Sequence, residues 1–187
     1  MEHLGAAYVF INFEQAMQLG HVGWGFKVEQ DQYLFGSTDH LWNRNYPFWH
    51  PIELFKYMDV PPGENNDYWS ELGTEEEMLR VMRSGPHVRY HSYKRISVVN
   101  PDPDAACDFA ETMRDIGWNL AQNNCVHQSS AVLTKYGGNI LPTFLNPIEI
   151  VPRNWFAAIA AEEMILESRI RNIFPLLIRT HPKRKVS

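Results

Sequence analysis

Cys125 is the residue of this sequence best placed to do covalent chemistry. It follows Asn123 and Asn124, and the stretch from 125 to 136 has the composition of a helix, ended by Gly137 and Gly138. Asparagine is a favoured helix cap and glycine the usual terminator, so the pattern predicts a helix starting at the cysteine. The N–H groups of a first turn have no partners inside the helix, and with the helix dipole they favour a thiolate over a thiol. The same groups can point at the oxygen of a carbonyl under attack and form part of an oxyanion hole. Cys107, among Ala105, Ala106 and Phe109 in another predicted helix, reads as a core residue.

A nucleophilic thiolate needs a base that takes its proton and later returns it to the leaving group, and histidine is the usual one. His127 lies two positions along the same helix, where side chains diverge by about 200°, so it cannot easily reach the sulfur. His87 and His91 have the spacing of a helical metal pair, but they flank a predicted strand without an accompanying carboxylate or cysteine set, so no metal site is assigned. His3 and His181 belong to the termini, while His40 and His50 fall in an irregular segment and stay open as bases. His21 begins a glycine-rich strand, His21-Val-Gly-Trp-Gly25. Small neighbours leave room there for a helix end or a substrate backbone beside the imidazole. A hydrogen-bonded histidine at a sheet edge would have the same local sequence.

These residues must be positioned by the surrounding elements. Residues 6–13 and 20–28 read as strands, 29–32 as a polar turn and 33–37 as the returning hairpin strand. From Thr38 to about Gly73 the sequence loses period and carries Pro47, Pro51, Pro61 and Pro62, which reads as a long loop or an insertion of short elements. Thr74 to Glu77 is a capping box for a short helix to about Ser84. A strand over 88–99 and a helix over 104–116 follow, and after the Cys125 helix a last helix capped by Asn154 runs to about Ile170. Strands, an irregular excursion, a strand and then helices make an α+β fold with a largely antiparallel sheet.

Bulk properties narrow the function classes. With 44% hydrophobic and 21% charged residues among 187, one folded domain over 1–187 is expected, with an irregular insertion at about 41–87. A net charge of −5 and a pI near 5.9 argue against a nucleic-acid binder, and the cationic run at 179–185 reads as a solvated terminus. Two cysteines cannot make a disulfide framework and fit a reducing compartment, so a cytoplasmic location is expected. No signal peptide or transmembrane segment is expected, the longest apolar run, Trp155 to Ala161, being far too short to span a bilayer.

Two separated segments together resemble the circularly permuted papain-like cysteine peptidases. His21-Val-Gly-Trp-Gly25 with Tyr33-Leu-Phe-Gly36 is similar to their histidine-bearing hairpin. Asn123-Asn-Cys-Val-His-Gln128, continuing to Tyr136-Gly-Gly-Asn-Ile-Leu-Pro142, is similar to their cysteine-bearing helix and its exit. Families with this layout include the PPPDE peptidases, the lecithin:retinol acyltransferase-like proteins and the permuted NlpC-type amidases, in which the histidine strand precedes the cysteine helix. The resemblance covers roughly 6–40 and 88–155.

It implies an antiparallel sheet packed against a helix with the nucleophile at its N-terminus, Cys125 as nucleophile and His21 as general base. Where relatives carry a third polar residue on the neighbouring strand, this chain offers Ser37 or Asp39, so either a two-residue dyad or an assisted one is implied. The implied activity is hydrolysis of amide, isopeptide or thioester bonds in a peptide, protein-conjugate or acyl substrate, without a cofactor. The alternatives are acyl transfer to a lipid or amine acceptor, and a non-catalytic binding domain on the same fold.

Overall fold

A computed structural model describes residues 4–40, 59–84, 89–144 and 146–166. His3, His50, His87, His181, the 179–185 run and the whole 41–58 stretch lie outside those residues.

Six strands form one antiparallel sheet in the order β5-β3-β2-β1-β6-β8. β1 (Leu4–Asn12) is central and pairs with β2 (His21–Glu29) and β6 (Ser92–Val99). β2 turns into β3 (Gln32–Thr38) across the predicted polar turn. A short α1 (Gln15–Gln18) lies between β1 and β2. Alternation along β1 sends Ala7, Val9 and Ile11 to one face and Ala6, Tyr8 and Phe10 to the other, and both faces are covered.

On the first face Val22, Trp24 and Phe26 join the core of α3 (Pro103–Thr112), α4 (Cys125–Gly137) and α5 (Pro152–Ala158), with Ala106, Ala110, Val126, Leu133 and Trp155 buried there. On the second, α2 (Glu75–Ser84) lays Met78 and Met82 over Phe10 and Phe35. The predicted capping box starts α2, the Glu77 N–H donating to Thr74 Oγ1 at 3.2 Å and the Thr74 N–H to Glu77 Oε2 at 2.8 Å.

Three expectations need correction. The segment from Thr38 to Gly73 is not a loop throughout. β5 (Tyr68–Gly73) pairs with all of β3 from Tyr33 to Thr38, and β4 (Asp59–Val60) pairs with β7 (Trp118–Asn119). β5 is an edge strand, only partly buried, so it lacks the strong apolar alternation that marks an inner strand. The residues from 59 to 84 therefore contribute to the sheet and to the layer covering it.

The last predicted helix stops at Ala158. Lys94 Nζ donates to Ile159 O at 2.7 Å and to Ala157 O at 3.4 Å, satisfying carbonyls at its end. The chain then becomes β8 (Glu163–Ile165) on the edge of β6. Pro152, not Asn154, opens this helix, because proline suits a first turn that needs no N–H partner. The 104–116 helix likewise ends at Thr112, and Gly117 at φ +72° carries the chain into β7. Among the described residues no helix is long and apolar enough to cross a membrane.

The β3–β5 contact depends on Gly36. A Cβ there would stand 2.2 Å from Trp69 O, on backbone that cannot move without parting the strands. Gly36→Ala is expected to destabilise the protein by about 2 kcal/mol, within the range for overpacking a tight site. The urea unfolding midpoint checks this, and an unchanged midpoint would mean that the strands tolerate wider spacing.

Candidate active site

The site lies where β2 begins, β3 ends and α4 starts. His21 is the first residue of β2, preceded by Gly20 at φ +93°, a conformation that glycine adopts without strain. Opposite His21 in the β1–β2 register stands Asn12, whose Oδ1 accepts the N–H groups of Glu14 and Gln15 and shapes the turn out of β1. His21 is therefore held by the sheet on one side and a tight turn on the other.

Cys125 is the first residue of α4 and is 6% exposed, His21 being 9% exposed. Asn124 caps the helix. Its Oδ1 accepts from Val126 N at 2.9 Å and His127 N at 3.3 Å, and its Nδ2 donates to Leu120 O at 3.0 Å. The Gln128 N–H goes to Asn124 O. The Cys125 N–H is thus the one of the first turn that Asn124 does not engage. His127 completes the cap through Nδ1 and packs edge-on to Phe144, so it is not a partner for the thiol.

Gln128 fixes the helix to the sheet. Thr38 Oγ1 donates to its Oε1, and its Nε2 donates to Gly117 O at 3.0 Å. That buried amide ties the end of β3 and the chain before α4 to the second turn of the helix. Neither Thr38 nor Gln128 was singled out for a role in the sequence. Their partners lie far apart in the chain, and only the hydrogen-bonding capacity of a buried amide would have hinted at it.

Cys125, Ser37 and Asp39 all act on one imidazole. His21 Nε2 is 2.9 Å from both Ser37 Oγ and Asp39 Oδ1, and Cys125 is a charge and hydrogen-bond partner of the same ring. Ser37 and Asp39, left open by the sequence, thus both reach Nε2. Asp39 supplies the carboxylate and is fixed in turn by Trp69 Nε1, which donates to Oδ2 at 2.7 Å. Trp69 belongs to β5, the strand hidden in the sequence.

Proton placement follows from donor counting. Ser37 has one hydroxyl proton, given to Val22 O at 3.2 Å, and a carboxylate has none to give. Nε2 must therefore carry the proton shared between Ser37 and Asp39. Burial opposes the imidazolium. The Cys125 charge, the hydrogen bonds from Asp39 and Cys125 and the Asp39 charge outweigh it, raising the His21 pKa to about 10.

The other described histidines are engaged elsewhere. His40 packs 5.3 Å from the Trp118 ring with its Nδ1 3.7 Å from Asp67 Oδ2, and His91 Nδ1 accepts the Phe13 N–H at 3.1 Å. Among the described residues no three His, Cys, Asp or Glu side chains converge as a metal site. A groove of about 790 Å³ on the α2 side, lined by Glu75, Arg80, Arg83, Tyr93 and Ile165 among others, contains none of the four site residues.

The fold is α+β with an antiparallel sheet, and the site is a buried Cys–His–Asp cluster at a helix N-terminus. Comparison of the chain with protein-family models, curated proteins and solved structures gives no match.

A histidine whose folded pKa is raised contributes stability that is complete below its unfolded value of 6.5 and lost as pH rises towards about 10. The thermal midpoint is expected to decline across that window in the wild type and less in Cys125→Ala, which removes one of the groups holding the proton. NMR titration of the His21 ring in both proteins checks the assignment, and an identical curve in the variant would refute it. Separately, Asn124→Ala is expected to cost about 1 kcal/mol in urea unfolding, the usual loss for a helix cap.

Proposed function

We propose that the protein is a cysteine hydrolase of the permuted papain-like type, cleaving an amide, isopeptide or thioester bond through an acyl-enzyme. The observation that carries this reading is that the helix-start Cys125 acts on an imidazole whose Nε2 is 2.9 Å from the buried Asp39 carboxylate. A core cysteine has no need of a buried carboxylate relayed through histidine. The chain order, with the histidine strand before the cysteine helix, matches the resemblance drawn from the sequence. Asp39, beside His21 Nε2, is available as a third polar residue, which favours catalysis over the binding-domain alternative.

The steps balance without further groups. His21 Nδ1 takes the thiol proton, and the thiolate attacks the carbonyl carbon. The oxygen, now negative, is held by the Cys125 N–H. As the tetrahedral intermediate collapses, the imidazolium gives its proton to the departing amine, or to the departing thiolate of a thioester. A water molecule, deprotonated by His21, then attacks the thioester on Cys125 and releases the acid. Asp39 keeps the proton on Nε2 throughout and stabilises the imidazolium.

Labelling tests the reactive pair without a known substrate. Cys107 is an internal control, its thiol ionisation pushed up by burial and by Asp104, Asp108 and Glu111. At neutral pH iodoacetamide is expected to label Cys125 faster than Cys107, although Cys125 is the more buried. Peptide mapping by mass spectrometry reads the two rates. His21→Ala should slow only the first, and equal rates at both cysteines in the wild type would end the proposal. On a cleavable substrate, His21→Ala should lower kcat by about 10²–10⁴, the usual contribution of a general acid–base group.

A further inference from the structure

Tyr90 packs on His21 and takes no part in the steps above. It lies wholly buried just before β6, with its ring centroid 6.0 Å from that of the imidazole and the planes 26° apart. Gly23 makes this possible. A Cβ at that position would lie 2.7 Å from Tyr90 Oη and 2.9 Å from its Cζ. Gly23 is two residues beyond His21, hence on the same face of β2, and the phenol lies against it.

The Tyr90 hydroxyl is buried and makes no hydrogen bond of ordinary geometry, a costly arrangement unless a partner is close. The β2–β3 register, which pairs Trp24 with Gly36, brings Ser37 across from Gly23, the residue the phenol lies against, and the charges of Asp39 and Cys125 are also felt there. Ser37 Oγ gives its proton to Val22 O and accepts from His21 Nε2–H. One lone pair of that oxygen is left over.

We infer that Tyr90 is a positioning residue whose hydroxyl donates to the remaining lone pair of Ser37 Oγ and keeps Ser37 turned towards His21 Nε2. The inference rests on the proposed reading of Cys125 and His21 as a reactive pair. Burial, and then the nearby carboxylate of Asp39, push the phenol's ionisation well up, so it remains a protonated donor throughout the working range. The titratable groups facing His21 are Cys125 from α4, Asp39 beyond β3 and Tyr90 before β6. Without Tyr90 Oη, Ser37 is free to leave Nε2, and the imidazolium loses one of its two supports there. The thiolate should then form at higher pH.

The test is the pH profile of Cys125 alkylation by iodoacetamide in the full chain, for the wild type, Tyr90→Phe, Ser37→Ala and the double variant. Tyr90→Phe keeps the ring that packs on Phe10 and His21, and its thermal midpoint reports that the fold is retained. Its expected effect is a rate about fivefold lower at neutral pH, the size of one neutral hydrogen bond. The acid limb should move upward, and Cys107 alkylation should not change. Added to Ser37→Ala it should slow the reaction no further, because the hydroxyl acts through the serine. A wild-type profile in Tyr90→Phe, or effects that simply add in the double variant, would overturn the inference. His21→Ala separates the two levels. If it slows Cys125 alkylation while Tyr90→Phe does not, only the role of Tyr90 falls. If His21→Ala has no effect, the reactive pair itself is wrong.

Discussion

A charged imidazole removed from water is stable only beside negative charge, and His21 finds it in the Asp39 carboxylate and in the Cys125 sulfur. Each partner comes from a different part of the chain, so the geometry of the site is the geometry of three junctions. The β1–β2 pairing sets the histidine, the exit from β3 sets Ser37 and Asp39, and the cap of α4 sets the sulfur. Gln128 spans the last two by holding both Thr38 and Gly117 O. A sheet covered on both faces gives these junctions a rigid base, since neither face can relax into solvent.

The sulfur's place at the helix start was legible in the sequence because it is a local property. Asn124 followed by Cys125, with glycines twelve and more residues on, needs no distant contact to be read. His21 was legible in part, as a histidine opening a strand of small residues. The choice between Ser37 and Asp39 was not. Both sit at the end of β3, where the strand's alternation stops, and which of them turns back to Nε2 depends on the chain beyond it. The structure has both turn back.

Two elements were misread for a common reason. β5 and β8 are edge strands, recruited by the open hydrogen-bonding rows of β3 and β6 rather than by their own apolar pattern. The sequence beyond Asn154, rich in alanine and glutamate, has helical propensity, and pairing with β6 overrides it after Ala158. The error had consequences for the site, since β5 carries Trp69, the residue that fixes the second oxygen of Asp39. Tyr90 was hidden in the same way, its role depending on contacts with residues more than fifty positions earlier in the chain.

Gly23 gives the site an unusual kind of fragility. It offers no functional group, so a search for reactive side chains passes over it, yet the phenol occupies the space a methyl would need. Any other amino acid there would push the Tyr90 ring against His21 and disturb the cluster, while leaving Cys125, His21 and Asp39 all present in the chain. The arrangement of the cluster thus depends on a position that contributes no side chain to it.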